Sequence, residues 1–223
     1  MSPRLLAMLL TTATCFTVAP ITSLAQNRIE IASQADILLR SASNDALDSL
    51  FQSVHAISNS PTDSTKVCRA LASPDRGSAD TWLALAQELS GDNRDRLTSA
   101  LGEVALSGWQ GRPSAFDEKA ARTSLRQAGV RAAMLNDGFS ASALSVDDAN
   151  ATNEAETEAL RCRSLGWLLD AVASQPLDER AAITRLLLRD GLASVLQKSA
   201  DKSVSENRQG YWPTTCAIQS CRL

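Results

Sequence analysis

Aromatic residues are scarce in this chain: four Trp, one Tyr and four Phe make up 4% of its 223 residues. Runs that alternate β-branched and polar residues are missing, and no Asn-Gly or Asp-Gly pair sits between such runs, so the usual signals of hairpins and all-β folds are absent. One histidine, His55, is present, and any histidine-based triad or site would depend on it alone. Basic residues neither dominate nor cluster with aromatics, which argues against a nucleic-acid partner. Beyond the first residues no window is apolar enough over roughly 20 residues to span a bilayer, so no membrane span is expected in the mature chain.

What is there begins with an export signal. The opening MSPRLLAMLLTTATCFTVAPITSLAQ places Arg4 before an apolar stretch and small residues at Ser23 and Ala25. That three-part pattern predicts a signal peptide over 1–25, cut between Ala25 and Gln26. Lipid attachment at Cys15 fits poorly, because Thr-Ala-Thr precedes that cysteine. Removing the leader takes Arg4 away from the 22 Lys plus Arg and leaves the 25 Asp plus Glu, so the mature chain is mildly acidic. The excess of Arg over Lys and the abundance of Ala suggest a GC-rich bacterial genome, which makes the periplasm the expected address, with full secretion as the alternative.

The leader also takes one of five cysteines, leaving Cys68, Cys162, Cys216 and Cys221. An even number of cysteines in an exported chain points to disulfides. Structural zinc needs short paired knuckles and a redox pair needs Cys-x-x-Cys; the spacings here supply neither, so no metal or other cofactor is expected.

Helical spacing recurs almost throughout. Ala46, Leu47, Leu50, Phe51, Val54 and Ile57 repeat at three and four residues after the capping oxygens of Ser43, Asn44 and Asp45. Similar patterns predict helices over 29–40, 63–72, 79–89, 94–106, 114–135, about 153–174 and 177–199, the last with a soft spot at Asp190 and Gly191. Breaks are expected at Ser90 to Asn93 and around Gly108. The fold class is therefore all-α, a bundle of about seven to eight helices stapled by disulfides. One α-helical domain covers 26–199, an acidic loop lies within 136–152, and an irregular Cys-containing tail covers 200–223.

A local repetition stands out. CRAL at 68–71 returns as CRSL at 162–165, each followed by a Trp-Leu pair (Trp82 and Trp167) and later by an acid–Arg pair opening another helix. This reads as two related helical hairpins, 64–106 and 153–199, against chance similarity in an Ala/Leu-rich helical chain. Helical spacing turns both cysteines inward. Either they bond each other across a pseudo-twofold axis, or Cys216 and Cys221 pin the tail onto the two CRxL helices; we favour the second, because an irregular tail gains most from being tied down. Trp82 and Trp167, at matched positions, are expected in the core.

No catalytic constellation emerges. His55 lies between Phe51 and Ile57 without a nucleophilic-serine motif, and reads as a half-buried edge residue. The S-x-x-K match from Ser199 to Lys202 lacks its companion motifs. The acidic stretch around Asp148 fails as a calcium loop: Asn153 stands where the turn glycine belongs, and Ala159 where a bidentate glutamate belongs. Carboxylate chemistry on glycans would have to use Glu88 and Glu103 without the aromatics that line sugar sites.

The expected function is thus non-enzymatic: an exported, disulfide-bonded protein that binds another protein, in concrete form an immunity or inhibitor protein guarding against an envelope-acting toxin. A carboxylate-dependent cell-wall hydrolase and a structural or adaptor subunit of an envelope complex are the alternatives. Candidate partner-binding residues are Asp147, Asp148 and Glu154 in the acidic region, with Trp109 and Trp212 as aromatic anchors. For the two tryptophans, covering the core is the favoured alternative to anchoring a partner.

Overall fold

The computed structural model describes residues 23–73, 79–144 and 154–209. The expected leader, apart from its last residues, lies outside this range, as do Asp147, Asp148, Trp212, Cys216 and Cys221. Eight α-helices and one short 3-10 turn follow in order: α1 (Ser23–Ser41), α2 (Asn44–Ser58), α3 (Ser64–Ala72), α4 (Ala79–Glu88), α5 (Gly91–Gln110), α6 (Glu118–Leu135), the 3-10 turn (Ser142–Leu144), α7 (Glu154–Ala173) and α8 (Leu177–Gln209). No strand occurs among the described residues. The all-α bundle is thus the observed architecture.

Helix α2 is the axis of the molecule, and its sequence shows why. The Ser43 side chain accepts from the Ala46 amide and starts the helix. Along it, Leu47 and Leu50 enter a cluster with Leu39 of α1, Ala100 and Val104 of α5, and Ala181 of α8. Phe51 enters a second cluster with Ala128 and Ala132 of α6, Val172 of α7 and Ile183 of α8. Ile57 enters a third with Val67 and Ala70 of α3, and Leu85 and Leu89 around the end of α4. One helix thus joins all three apolar clusters. Its most extensive packing is against α8 and α5, while α1 packs on those same two helices and α6 packs on α7 and α8. Across the bundle the order runs from α5, through α1 and α2, to α8 and α7, and then to α6.

The break expected at Gly108 and the soft spot at Gly191 are both absorbed into helix. α5 starts at Gly91 and runs to Gln110, through Gly108. Gly108 serves packing here: a Cβ at that position would collide with the Leu38 backbone oxygen and side chain. The missing side chain lets α1 and α5 cross closely, so this glycine is a contact rather than a stop. Similarly α8 passes straight through Gly191 and continues to Gln209, so residues 200–209, expected as irregular tail, are helical.

The C-terminal end of α1 is closed by side chains from elsewhere. The Arg185 guanidinium of α8 donates to the Leu39 oxygen at 2.9 Å and to the Ala42 oxygen at 2.8 Å. Ser114 donates to the Arg40 oxygen through both its hydroxyl and its amide. Carbonyls at a helix end have no intrahelical partner and carry partial negative charge, so a buried cation there both pairs them and complements the dipole. Burial lowers the pKa of Arg185. Phe116 lies beneath both Arg185 and Arg189, with its ring centre 5.7 and 5.3 Å from the two guanidinium carbons.

The cysteine pairing differs from the one favoured on sequence. Cys68 of α3 and Cys162 of α7 are bonded to each other, with Cα atoms 5.3 Å apart. The two CRxL helices face one another, so the inward positions of the repeat meet directly and neither cysteine remains to hold the tail. The matched tryptophans do not share an environment. Trp167 packs on the second cluster from within α7, whereas α3 ends at Ala72 and Trp82 sits on the separate α4, 39% exposed. The core position expected for Trp82 is not what forms.

Candidate functional site: an exposed apolar face on α5

The most unusual surface of the described residues lies on α5, whose start is set by a buried acid. Asp63 has no exposed surface at all. Although it precedes α3, its carboxylate does not cap that helix; it reaches across to α5. It accepts from the Ser90 hydroxyl at 2.6 Å, the Ser90 amide at 3.1 Å and the Asn93 side-chain amide at 2.7 Å. Lys66 donates to it at 2.6 Å and also to the Glu88 carbonyl at the end of α4. Lys66 first, then Ser90 and Asn93, hold this carboxyl well below the usual carboxylate range, against the opposing effect of desolvation. The polar run Ser90, Gly91, Asp92, Asn93 is therefore an organised joint between α4 and α5 rather than a loop.

From that joint the buried positions of α5 are Asn93, Ala100, Val104 and Gly108. Opposite them, at three- and four-residue spacing, come Gly102, Ala105, Leu106 and Trp109, all exposed. Leu106 is 58% exposed and Trp109 is 85% exposed. Trp109 therefore does not cover the core, contrary to the favoured expectation; it stands in solvent on a rigid helix one residue past the tight α1–α5 crossing. Arg94 on the same helix donates to the Leu89 oxygen.

The other sequence candidates are dispersed. Glu154 is the first residue of α7, and its acidic neighbours Asp147 and Asp148 fall outside the described residues. Glu88 and Glu103 are both exposed, on α4 and α5 respectively. His55 is the half-buried edge residue that its spacing suggested, yet it has a partner the sequence did not reveal. Its Nε2 lies 2.7 Å from Oδ1 of Asp170 on α7 and 3.1 Å from Nδ2 of Asn59. Its ring stacks on Phe51 with centres 5.9 Å apart. The pair joins α2 to α7. No group of three or more His, Cys, Asp or Glu that could hold a metal ion is found among the described residues. None of their helices is long and apolar enough to cross a membrane.

Compared with known proteins, the chain matches no family model, no curated protein and no solved structure.

Proposed function

We propose that the chain is an exported, disulfide-bonded protein that acts by binding another protein, in the concrete form of an immunity or inhibitor protein against an envelope-acting toxin. The observation that carries this reading is Trp109, a large aromatic side chain 85% exposed beside Leu106 on a well-anchored helix. A tryptophan held in water contributes nothing to folding, whereas aromatic side chains buried on association supply much of the energy of protein interfaces. The disulfide suits an oxidising, extracytoplasmic address. The hydrolase alternative finds less support: Glu88 and Glu103 lie on the exposed surfaces of two different helices, α4 and α5, without the lining aromatics of a sugar site.

The test is a capture experiment from envelope extract with the full chain and with Trp109→Ala, paired with protection in a toxin co-expression assay. A specific partner lost on Trp109→Ala, together with lost protection, supports the reading. No specific partner and no protection by the wild-type chain would overturn it.

A further inference from the structure

A second surface lies on the other side of the bundle, on α6, where neither folding nor the α5 face accounts for the side chains. Ala121, Ala128 and Ala132 form the buried side of this helix. Diametrically opposite, Lys119, Thr123, Arg126, Val130 and Met134 follow one another at intervals of four, three, four and four residues, and all five are exposed. The stripe is graded, cationic in its first half and apolar in its second. Val130 and Met134 are both more than half exposed, as is Leu135 at the end of the helix.

Both halves are placed against the helix's own interest. Lys119, in the first turn, opposes the helix dipole, and large apolar side chains in water gain nothing from folding. From Lys119 to the end of α6 there are four basic residues and no acidic one, in a chain whose net charge is −3. Arg122 is committed to Glu118 and Asp190. Arg131 donates to the Ser174 hydroxyl at 2.5 Å. Arg126 hydrogen-bonds within its own helix, to the Arg122 carbonyl and the Thr123 hydroxyl. Among the described residues neither Lys119 nor Arg126 forms an ion pair with a carboxylate.

We propose that this face of α6 docks an acidic amphipathic segment of a partner protein, with carboxylates over Lys119 and Arg126 and apolar residues over Val130 and Met134. The charge of the stripe selects the occupant. A second copy paired through this same face would set Lys119 and Arg126 against their own counterparts, with no carboxylate in the stripe to meet them. An anionic bilayer is disfavoured because the chain as a whole is acidic, and because this face has no Trp, Tyr or Phe to seat at the lipid boundary. α5 and α6 lie at opposite ends of the cross-section, so this docking is independent of the Trp109 face.

The test uses the full oxidised chain, isotope-labelled for amide NMR, titrated with a synthetic Leu/Glu amphipathic peptide. A Leu/Lys peptide of equal length and vesicles of equal parts phosphatidylcholine and phosphatidylglycerol are the controls. The expected result is shifts confined to α6 and its neighbours with the Leu/Glu peptide, weakened by salt. Arg126→Glu should weaken binding about tenfold, and Val130→Ser with Met134→Ser similarly, while Arg126→Lys retains it. These positions are exposed, and unchanged melting curves would confirm that the variants fold. Equal response to both peptides, indifference to the variants, preference for the vesicles, or an α6-dependent dimer would overturn the proposal. Trp109→Ala should leave the titration unchanged, so the two docking faces stand or fall separately.

Discussion

Two buried charged residues show how single side chains set the bundle's geometry. Asp63 gathers the start of α5, the end of α4 and Lys66 of α3 around one carboxylate. Because its pKa is depressed in the folded state, its stabilising contribution is fully present above the ordinary carboxylate value of about 3.9 and fades as pH falls below it. Denaturant melts of the wild type should therefore lose stability on acidification through this window. Asp63→Asn should be less stable at neutral pH and flatter between pH 2 and 4; an Asn variant as stable as wild type at pH 7 would remove the carboxylate from this role. Arg185 is the converse, a buried cation whose partners are the end carbonyls of α1 and the Asn44 side chain. Replacing it by Met keeps the apolar stem but leaves those carbonyls unpaired, and should cost on the order of 3 kcal/mol in urea unfolding.

At the scale of the element, α5 carries two glycines with opposite meanings. Gly108 faces Leu38 so closely that any Cβ must displace α1, whereas a Cβ on Gly102 meets nothing within 4 Å. Gly108→Ala should therefore destabilise by about 1–3 kcal/mol through overpacking. Gly102→Ala should stabilise by about 0.5–1 kcal/mol, because alanine favours helix and no neighbour objects. Equal effects in thermal unfolding would contradict the close α1–α5 crossing. The pair also shows what was legible in the sequence. Apolar periodicity located every helix, since a stripe at three and four residues is local information. It could not distinguish a glycine that ends a helix from one that packs, because that depends on Leu38, 70 positions away. Asp63, which periodicity placed simply at the start of the helix over 63–72, has its partners Ser90 and Asn93 27 and 30 residues onward, beyond the reach of any local pattern. The exposure of Trp109 was hidden by the same glycine, whose expected break would have placed the tryptophan in a connection.

For the whole molecule the decisive long-range fact is the bond between Cys68 and Cys162. Four cysteines admit three pairings, and only the facing of α3 on α7 selects this one. The bond closes a loop of 94 residues that contains α4, α5 and α6. Its effect falls unevenly, because the helices are not equally attached. α1, α2, α5 and α8 share the first cluster and the most extensive packing, whereas α4 packs mainly on α3 through the small third cluster. In the chain-entropy view a loop of this length constrains the unfolded chain by about 4–5 kcal/mol, of which disulfides typically deliver about 2–4 kcal/mol. The double variant Cys68→Ser with Cys162→Ser should lose about that much, and its denaturant slope should rise as the unfolded chain expands. Hydrogen exchange separates this from a uniform weakening. In the variant, α3 and α4 should lose amide protection first, while α2 and α8 keep theirs up to the global unfolding transition. If protection fell equally in all helices, the bond would be bracing the central bundle, and the third cluster would be holding α3 and α4 unaided.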